Sequence, residues 1–318
     1  MAYPMKTSIV IVSFNTKYYL HRCLDSIRRY PPSFSYEIIV VDNASGDGSP
    51  EMVSLLFPET TLIRSSKNLG FAAANNLAIN VAGGELIFFF NSDAELLPGS
   101  LEPLIEHFQM NPETGIVGPT EQFENGNPYP TICPSPSLSF VFFNHTGLRR
   151  RFYRNRLINP YRRLWEQAQK SKIPTEVDWL SGASLMIRRK VLDKIGLFDE
   201  KYFFYMEETD LCERARRSGW KVKFIPEAKV VHHGGQSTGN AKTGFLTLSG
   251  AMGELHFFKK FRNRIEVLLL AGLLAVEYSL KLLITGVNDP RRWAYHGIIQ
   301  ITLGFRKAGV TREDRLQK

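Results

Sequence analysis

Glu85-Leu86-Ile87-Phe88-Phe89-Phe90-Asn91-Ser92-Asp93-Ala94-Glu95 is the stretch on which the fold turns. Leu86 to Phe90 is an uninterrupted apolar run of strand length, the pattern of a strand buried on both faces. It stops abruptly in a polar cluster that carries two carboxylates. In open α/β sheets, ligands gather where such strands end at their carboxyl edge. Asp93 and Glu95, two residues apart, would project hard oxygen ligands there. Such ligands suit Mg²⁺ or Mn²⁺ shared with the phosphates of a substrate. Taken alone, the stretch reads equally well as an acidic turn after a strand.

The flanking sequence repeats the pattern. Residues 8–13 form a β-branched apolar run, followed by Asn15 and Thr16 as turn and cap. Tyr19, Leu20, Cys23, Leu24 and Ile27 then recur at helical spacing up to Tyr30-Pro31-Pro32. Residues 37–41 read as a second strand, ending in the turn-rich loop 42–49, with a helix from about residue 50. A third strand at 60–64, an Ala-rich helix opened by Asn68-Leu69-Gly70-Phe71, a helix at 101–110 and a strand at 115–118 complete the alternation. Strands and helices at this spacing predict a mostly parallel sheet with helices on both faces. The loops at residues 14–15, 42–43 and 91–93 would share one edge of it. No GxGxxG follows the first strand and no GxxxxGK[ST] occurs, which argues against a dinucleotide-type site and against a P-loop.

Residues 119–137, rich in Pro, Asn and Gly, read as a loop. The basic segment 149–163, with Phe152, Tyr153 and Tyr161, reads as a solvated helix face or as an acceptor or membrane contact. Residues 178–187 are strand-like but interrupted by small residues, which permit close approach of a ligand or backbone. Glu207-Glu208-Thr209-Asp210 opens a helix ending in basic residues, an order that complements the helix dipole. Three acids beside the aromatic run 202–205 exceed that need, and a carboxylate desolvated against aromatics becomes a better general base. Strands at 222–225 and 229–231 lead to His232-His233-Gly234-Gly235.

Composition narrows the classes. The 318 residues have 43% hydrophobic content and a formal net charge of +9, enough for a sizeable globular core. Residues 1–120 hold 7 Lys/Arg against 12 Asp/Glu, and the rest hold 33 against 19. Only the back portion would therefore face a polyanion. No zinc-finger or RNP pattern supports nucleic acid. Cys23, Cys133 and Cys212 lack metal or disulfide spacing and read as buried thiols of a reducing compartment. No signal peptide is evident at the amino end.

The combined pattern resembles the inverting glycosyltransferases of family 2, with the GT-A nucleotide-sugar fold, and within them bacterial rhamnosyltransferase-like members. The resemblance is carried by residues 9–15, 40–49, 68–76, 91–93, 179–183, 207–214 and 232–237, in the family's order. It implies that Ser13, Phe14 and Asn15 line the base pocket and that Asp42 bonds the nucleoside. It puts Asn68, Gly70, Asn75, Asn91 and Ser92 beside the nucleotide, and Trp179 and Gly182 at the acceptor. Asp93 would bind the metal, Mn²⁺ or Mg²⁺, completed by His232. Glu208 falls at the general base, with Glu207 and Asp210 as alternatives. Two departures stand out: Asn91 replaces the first acid of the DxD motif, and the usual Glu-Asp pair is Glu207-Glu208.

The expected reaction moves a sugar, rhamnose among the candidates, from a dTDP- or UDP-sugar to a hydroxyl of a glycan or lipid-linked glycan. The base takes the acceptor proton while C1 is attacked from the face opposite the leaving diphosphate. The rival readings are a sugar-phosphate nucleotidyltransferase and an inert nucleotide- or glycan-binding relative.

The expected division is a GT-A domain over 1–240 and a basic, apolar helical extension over 241–318. Within that extension the apolar run 267–276 is only 10 residues long, short of the roughly 20 a spanning helix needs. It reads as a packed C-terminal helix, an interfacial anchor or, least well, a true span. A last helix is expected at 291–305, with a frayed end at 311–318. The expected location is cytoplasmic, peripheral on the inner face of the plasma membrane.

Overall fold

The computed structural model describes residues 6–129, 131–152, 155, 164–166, 168–169, 172–235 and 243–305. Most of the basic segment 149–163, Gln236-Ser237 and the end at 311–318 expected to fray lie outside the described residues. The chain forms two compact units. The first comprises Met1–Pro134, Leu164–Phe198 and Glu208–Ser237, the second Ser135–Arg163, Asp199–Glu207 and Thr238–Lys318. The helical unit thus recruits two segments from before residue 240. Val141 enters its hydrophobic core, and Asp199 bonds His256 and Lys260.

In the first unit, strands β1 (Thr7–Ser13), β2 (Tyr36–Asp42), β3 (Thr61–Arg64) and β4 (Leu86–Phe90) are followed by β5 (Ala94–Leu96) and β6 (Thr114–Gln122). Four short strands come next: β7 (Pro128–Tyr129), β8 (Ile132–Cys133), β9 (Thr175–Glu176) and β10 (Trp179–Leu180). The last two are β11 (Ser184–Arg188) and β12 (Lys221–His232). The main sheet has the order β3-β2-β1-β4-β11-β6-β12-β5. Its first four strands are parallel.

Alternate residues of each central strand enter different cores, as the period of two requires. Ile9, Ile11, Leu86, Phe88 and Phe90 join Leu20, Leu24, Ile27, Leu104 and Phe108 on one face. Val10, Ile87 and Phe89 join Ala74, Ala78, Leu192, Leu211 and Cys212 on the other. All five side chains of β4 are buried, each worth about 1.5–3 kcal/mol in removal from water. This double burial is why the run reads as apolar without alternation.

The direction of each strand assembles the site. β11 runs antiparallel to β4, with Ser184 opposite Phe90, so its beginning lies at the carboxyl edge of β4. β6 is antiparallel to β11 and parallel to β12. The ends of β1, β2, β4, β6 and β12 therefore meet the start of β11 at one edge. Asn91 N–H donates to Ala183 O at 2.8 Å, and His233 N–H to Asp93 O at 2.9 Å.

Two sequence expectations change here. The strand expected at 115–118 continues through Pro119 to Gln122, so part of the expected loop is sheet. Pro119 cannot donate to a ladder, but it sits where β12 is irregular, between Ile225 and Lys229, a position that tolerates proline. That same irregularity makes the two strands expected at 222–225 and 229–231 one strand. The three cysteines are buried thiols.

The helical unit contains the helices Leu138–His145, Thr243–Phe261, Arg264–Ile284 and Arg292–Thr302. Leu248, Phe257, Phe258, Leu270, Leu274 and Ile298 form its core. The apolar runs on either side of Glu277 are one helix, opened by an Asn263–Glu266 capping box. By length and composition that helix could cross a bilayer, although 17% of its most apolar window is buried.

Candidate active site

The loops after β1 and β2 build one wall. Asn15 adopts φ 53°, which Asn tolerates better than most residues. Its Oδ1 accepts from Gly46 N–H at 2.8 Å, and its own N–H donates to Ser45 Oγ at 2.9 Å. Asp42 is buried at the end of β2. Its Oδ2 accepts from Ser45 N–H at 3.1 Å, and its Oδ1 has no hydrogen-bond partner among the described residues. An unsatisfied buried carboxylate oxygen is costly, and a ligand donor would relieve it. Asn68 accepts from Asn43 Nδ2 and Gly70 N–H, both at 3.0 Å, so the Asn68–Gly70 turn is tied to the same loop.

Three residues expected beside the nucleotide are turned inward. Ser13 and Ser92 are 0% and 1% exposed and are linked through Thr16 Oγ1 at 3.0 and 2.9 Å. They lock the ends of β1 and β4 together. Asn75 is 1% exposed, and its Nδ2 donates to Phe71 O at 2.9 Å. These side-chain polar atoms bond the protein's own side chains and backbone. Phe14 and Asn91 remain half-buried at the edge.

The sheet edge brings Asp93 and His232 together across 139 positions of sequence. Both are buried, and His232 Nε2 lies 3.5 Å from Asp93 Oδ1, too long for a good hydrogen bond. The imidazole is held from behind: Nδ1 and Glu121 Oε2 are 2.9 Å apart. Glu121 Oε1 accepts from Ser184 Oγ at 2.8 Å. Burial alone would lower the His232 pKa, but the charges of Glu121 and Asp93 push it up to about 10. Two carboxylates around one imidazole thus form a well that draws a cation.

Donation of Nδ1–H to Glu121 aims Nε2 at Asp93. Nε2 carries a proton there until a metal displaces it, and a carboxylate behind the ring is the arrangement that orients a metal-binding histidine. His232 Nε2 is itself buried without a hydrogen bond among the described residues. The carboxylate oxygen suits Mn²⁺ or Mg²⁺, and the imidazole nitrogen beside it favours Mn²⁺ over the harder Mg²⁺. Sequence reasoning missed Glu121. The proline two residues before it marks a loop unless its partner strand is known.

The neighbouring His233 is a different case. Its Nε2 is 2.6 Å from Glu95 Oε1. Arg22 Nε lies 2.7 Å from the same oxygen, and Arg22 also reaches Glu124 at 2.9 Å. The guanidinium already supplies the cation, so Glu95 anchors the start of the glycine loop.

Glu208 lies at the other side of the segment 181–184. A Cβ on Gly182 would sit 3.3 Å from Glu208 Cβ and 3.7 Å from Phe71 Cε1, tighter than most contacts on the glutamate. Glycine there keeps a wall of backbone against the carboxylate stem. Glu208 Oε2 is shut off from solvent and has no hydrogen-bond partner among the described residues. Burial raises the Glu208 pKa to about 7, opposed by backbone N–H groups and helped by the charge of Glu121.

The two alternative acids differ from it. Asp210 is fully buried and paired with Arg214 Nε at 2.6 Å, while the Arg214 guanidinium also holds the carbonyls of Ile195, Gly196 and Leu197. That carboxylate is committed to structure. Glu207 is buried at the first turn of the helix Glu207–Arg217. Trp179 donates its indole N–H to Pro134 O at 3.0 Å, which fixes the ring in β10.

Residues 8–196 match the glycosyl transferase family 2 profile. The chain belongs to glycosyl transferase family 2. This glycosyltransferase is 31% identical over 249 residues to the N-acetylglucosaminyl-diphospho-decaprenol L-rhamnosyltransferase of Mycobacterium tuberculosis. The match covers 75% of this chain and 79% of that protein. In fold it resembles a mannosyltransferase of Pyrobaculum calidifontis solved with GDP-mannose and Mn²⁺, with a TM-score of 0.56 at 16% identity. That likeness covers 99% of this chain and 85% of the other. Staphylococcus aureus TarS, solved as residues 1–349 with UDP-GlcNAc, gives a TM-score of 0.54 at 16% identity over 94% of this chain and 81% of that one. The family assignment excludes the nucleotidyltransferase reading, and the GT-A fold stands as expected.

Proposed function

We propose that this glycosyltransferase moves a sugar from a nucleoside-diphosphate donor to a hydroxyl of a lipid-linked glycan, by one inverting displacement with Glu208 as general base. Rhamnose carried on dTDP is the donor that best fits the mycobacterial relative, with a UDP-sugar as the alternative. That relative's name also supports an acceptor on a polyprenyl diphosphate, as in cell-wall polysaccharide assembly. Such an acceptor would bring the protein to a membrane surface, on the cytoplasmic side. The three buried thiols suit a reducing compartment.

One observation carries the reading: a carboxylate raised to about 7 lies against Gly182, on the segment that also touches the Asp93–His232 edge. A base of that pKa takes a proton efficiently near neutral pH. Glu208 accepts the acceptor hydroxyl proton as the hydroxyl oxygen bonds to C1. In the same step the C1–O bond to the nucleoside diphosphate breaks on the opposite side, and that leaving group carries away the electron pair. Asp42 Oδ1 accepts a hydrogen bond from the nucleoside, while Asn15 and Asn68 fix the loops around it. Asp93 and His232 would hold the divalent cation, with Asn91 a weaker neighbour than an acid. When bound, that cation supplies Lewis-acid neutralisation of the leaving diphosphate.

The test is a transfer assay with purified protein, Mn²⁺, dTDP-rhamnose or a UDP-sugar, and a short-chain polyprenyl-diphosphate-linked N-acetylglucosamine. NMR of the new anomeric centre should show inversion, and Glu208→Gln should slow product formation by about a hundredfold or more. Retained configuration, or full transfer by Glu208→Gln, would overturn the proposal.

A further inference from the structure

The helix Arg264–Ile284 has two unlike faces. Leu270, Leu274 and Tyr278 are buried in the core of the helical unit. On the other side Ile265, Leu268, Leu269, Val276, Leu280 and Leu283 are between 56% and 81% exposed. At 3.6 residues per turn these six fall within an arc of roughly 120° and extend about 27 Å along the axis. A contiguous apolar stripe of that size on a soluble surface marks an interaction site.

Charge identifies the cover. The segments that make up the helical unit carry 21 Lys/Arg against 9 Asp/Glu, a net of +12, which leaves −3 for the rest of the chain. Lys259 and Arg264 are exposed at the amino end of the stripe. Glu266, at its rim, is engaged in the capping box with Asn263. A second copy carries the same net charge of +12 on these segments, and like net charge opposes self-association. An anionic lipid surface complements it.

The packed face decides between lying on the bilayer and crossing it. Glu277 on that face is 2.5 Å from His145 Nδ1 and 2.6 Å from Lys281 Nζ. Turning the whole circumference to hydrocarbon would strip these ionic partners. We propose that the stripe docks flat at the headgroup–acyl boundary of an anionic bilayer, its apolar side chains inserted and Lys259 and Arg264 at phosphate level. This deepens the lipid-linked acceptor reading but stands on the helical unit alone, so either can fail without the other.

Co-sedimentation with sucrose-loaded vesicles tests it, using the full chain. One set is phosphatidylcholine alone, the other an equal mixture with phosphatidylglycerol. Partitioning into the anionic vesicles should exceed that into the neutral ones by about tenfold, and carbonate washing should release the protein. The triple variant Leu268→Gln/Val276→Gln/Leu283→Gln should lose that binding while keeping its melting temperature and its transfer to a water-soluble acceptor. Lys259→Gln/Arg264→Gln should weaken binding and flatten its salt dependence. The docking face is overturned if the wild type ignores both vesicle sets or the triple variant binds undiminished. Resistance to carbonate would overturn in-plane docking in favour of a span. A lipid-free dimer that the triple variant dissolves would assign the stripe to a second copy.

Discussion

His145 and His232 are each largely buried between two carboxylates, and each has a pKa pushed up to about 10. Their second nitrogens differ. In the helical unit, His145 Nδ1 lies 2.5 Å from Glu277 and Nε2 2.7 Å from Glu254, so both nitrogens are bonded and the cluster is closed. At the sheet edge, His232 Nδ1 is bonded to Glu121 at 2.9 Å, but Nε2 stands 3.5 Å from Asp93. The same residue types therefore make a structural lock in one unit and a cation-ready edge in the other. Composition and pKa do not distinguish them; the saturation of the last nitrogen does.

The sharpest way to separate the two regions is to damage each alone. Glu208→Gln, beside the open edge, should lower kcat by about 10²–10⁴-fold, the usual contribution of a general base, with melting temperature held. A stability loss of equal weight without a catalytic one would break the contrast. His145→Leu should do the reverse, because it leaves the largely buried Glu254 carboxylate without its cation and Glu277 with Lys281 alone. Denaturant unfolding should show a loss of about 3–5 kcal/mol, with transfer per folded molecule unchanged.

The lock has its own pH signature. Burial would lower the His145 pKa, but its hydrogen bonds to Glu254 and Glu277 raise it from 6.5 to about 10. A raised folded-state pKa gives stability that is complete below about pH 6.5 and fades as pH climbs towards 10. Glu277, despite its burial, is held below its ordinary 4.5 by His145 and Lys281, so its contribution is complete above that value and fades in acid. The melting-temperature gap between wild type and His145→Leu should therefore be widest between about pH 4.5 and 6.5 and shrink towards pH 10. A gap that widens above pH 9 would contradict it.

Smaller effects sharpen the open edge. Glu121→Gln should weaken Mn²⁺ binding by about 10–100-fold, the range expected when a histidine ligand loses its orienting carboxylate. Titration calorimetry would read this, and unchanged affinity would remove Glu121 from the site. The pH profile should follow Glu208: kcat/KM should fall about tenfold per pH unit below about 7 and level off above it.

These contrasts also explain what was legible in the sequence. β1, β2 and β4 announced themselves because strands buried on both faces must be apolar throughout, and each ended in the polar residues that form the edge. Asp93, His232 and Glu208 stood at such ends or at a helix start, where local pattern suffices. Glu121 did not, because Pro119 breaks the local strand signal and is tolerated only through an irregularity in β12, about 105 residues later. Its partner His232 is 111 residues away. His145 was hidden for the same reason, its partners being 109 and 132 residues distant. Ser13, Ser92 and Asn75 carried the expected residue types, but burial decided which way their polar atoms turned.

The central claim is that Asp93 and His232 form a cation site serving a nucleoside diphosphate. Thermal shift of wild type and Asp93→Asn with UDP, dTDP, GDP and CDP, each with and without Mn²⁺, tests it most directly. Ligand that binds only the folded state raises the melting temperature by mass action. One nucleotide should stabilise the wild type only when Mn²⁺ is present, and Asp93→Asn should lose that shift. A nucleotide shift indifferent to both Mn²⁺ and the substitution would contradict the account.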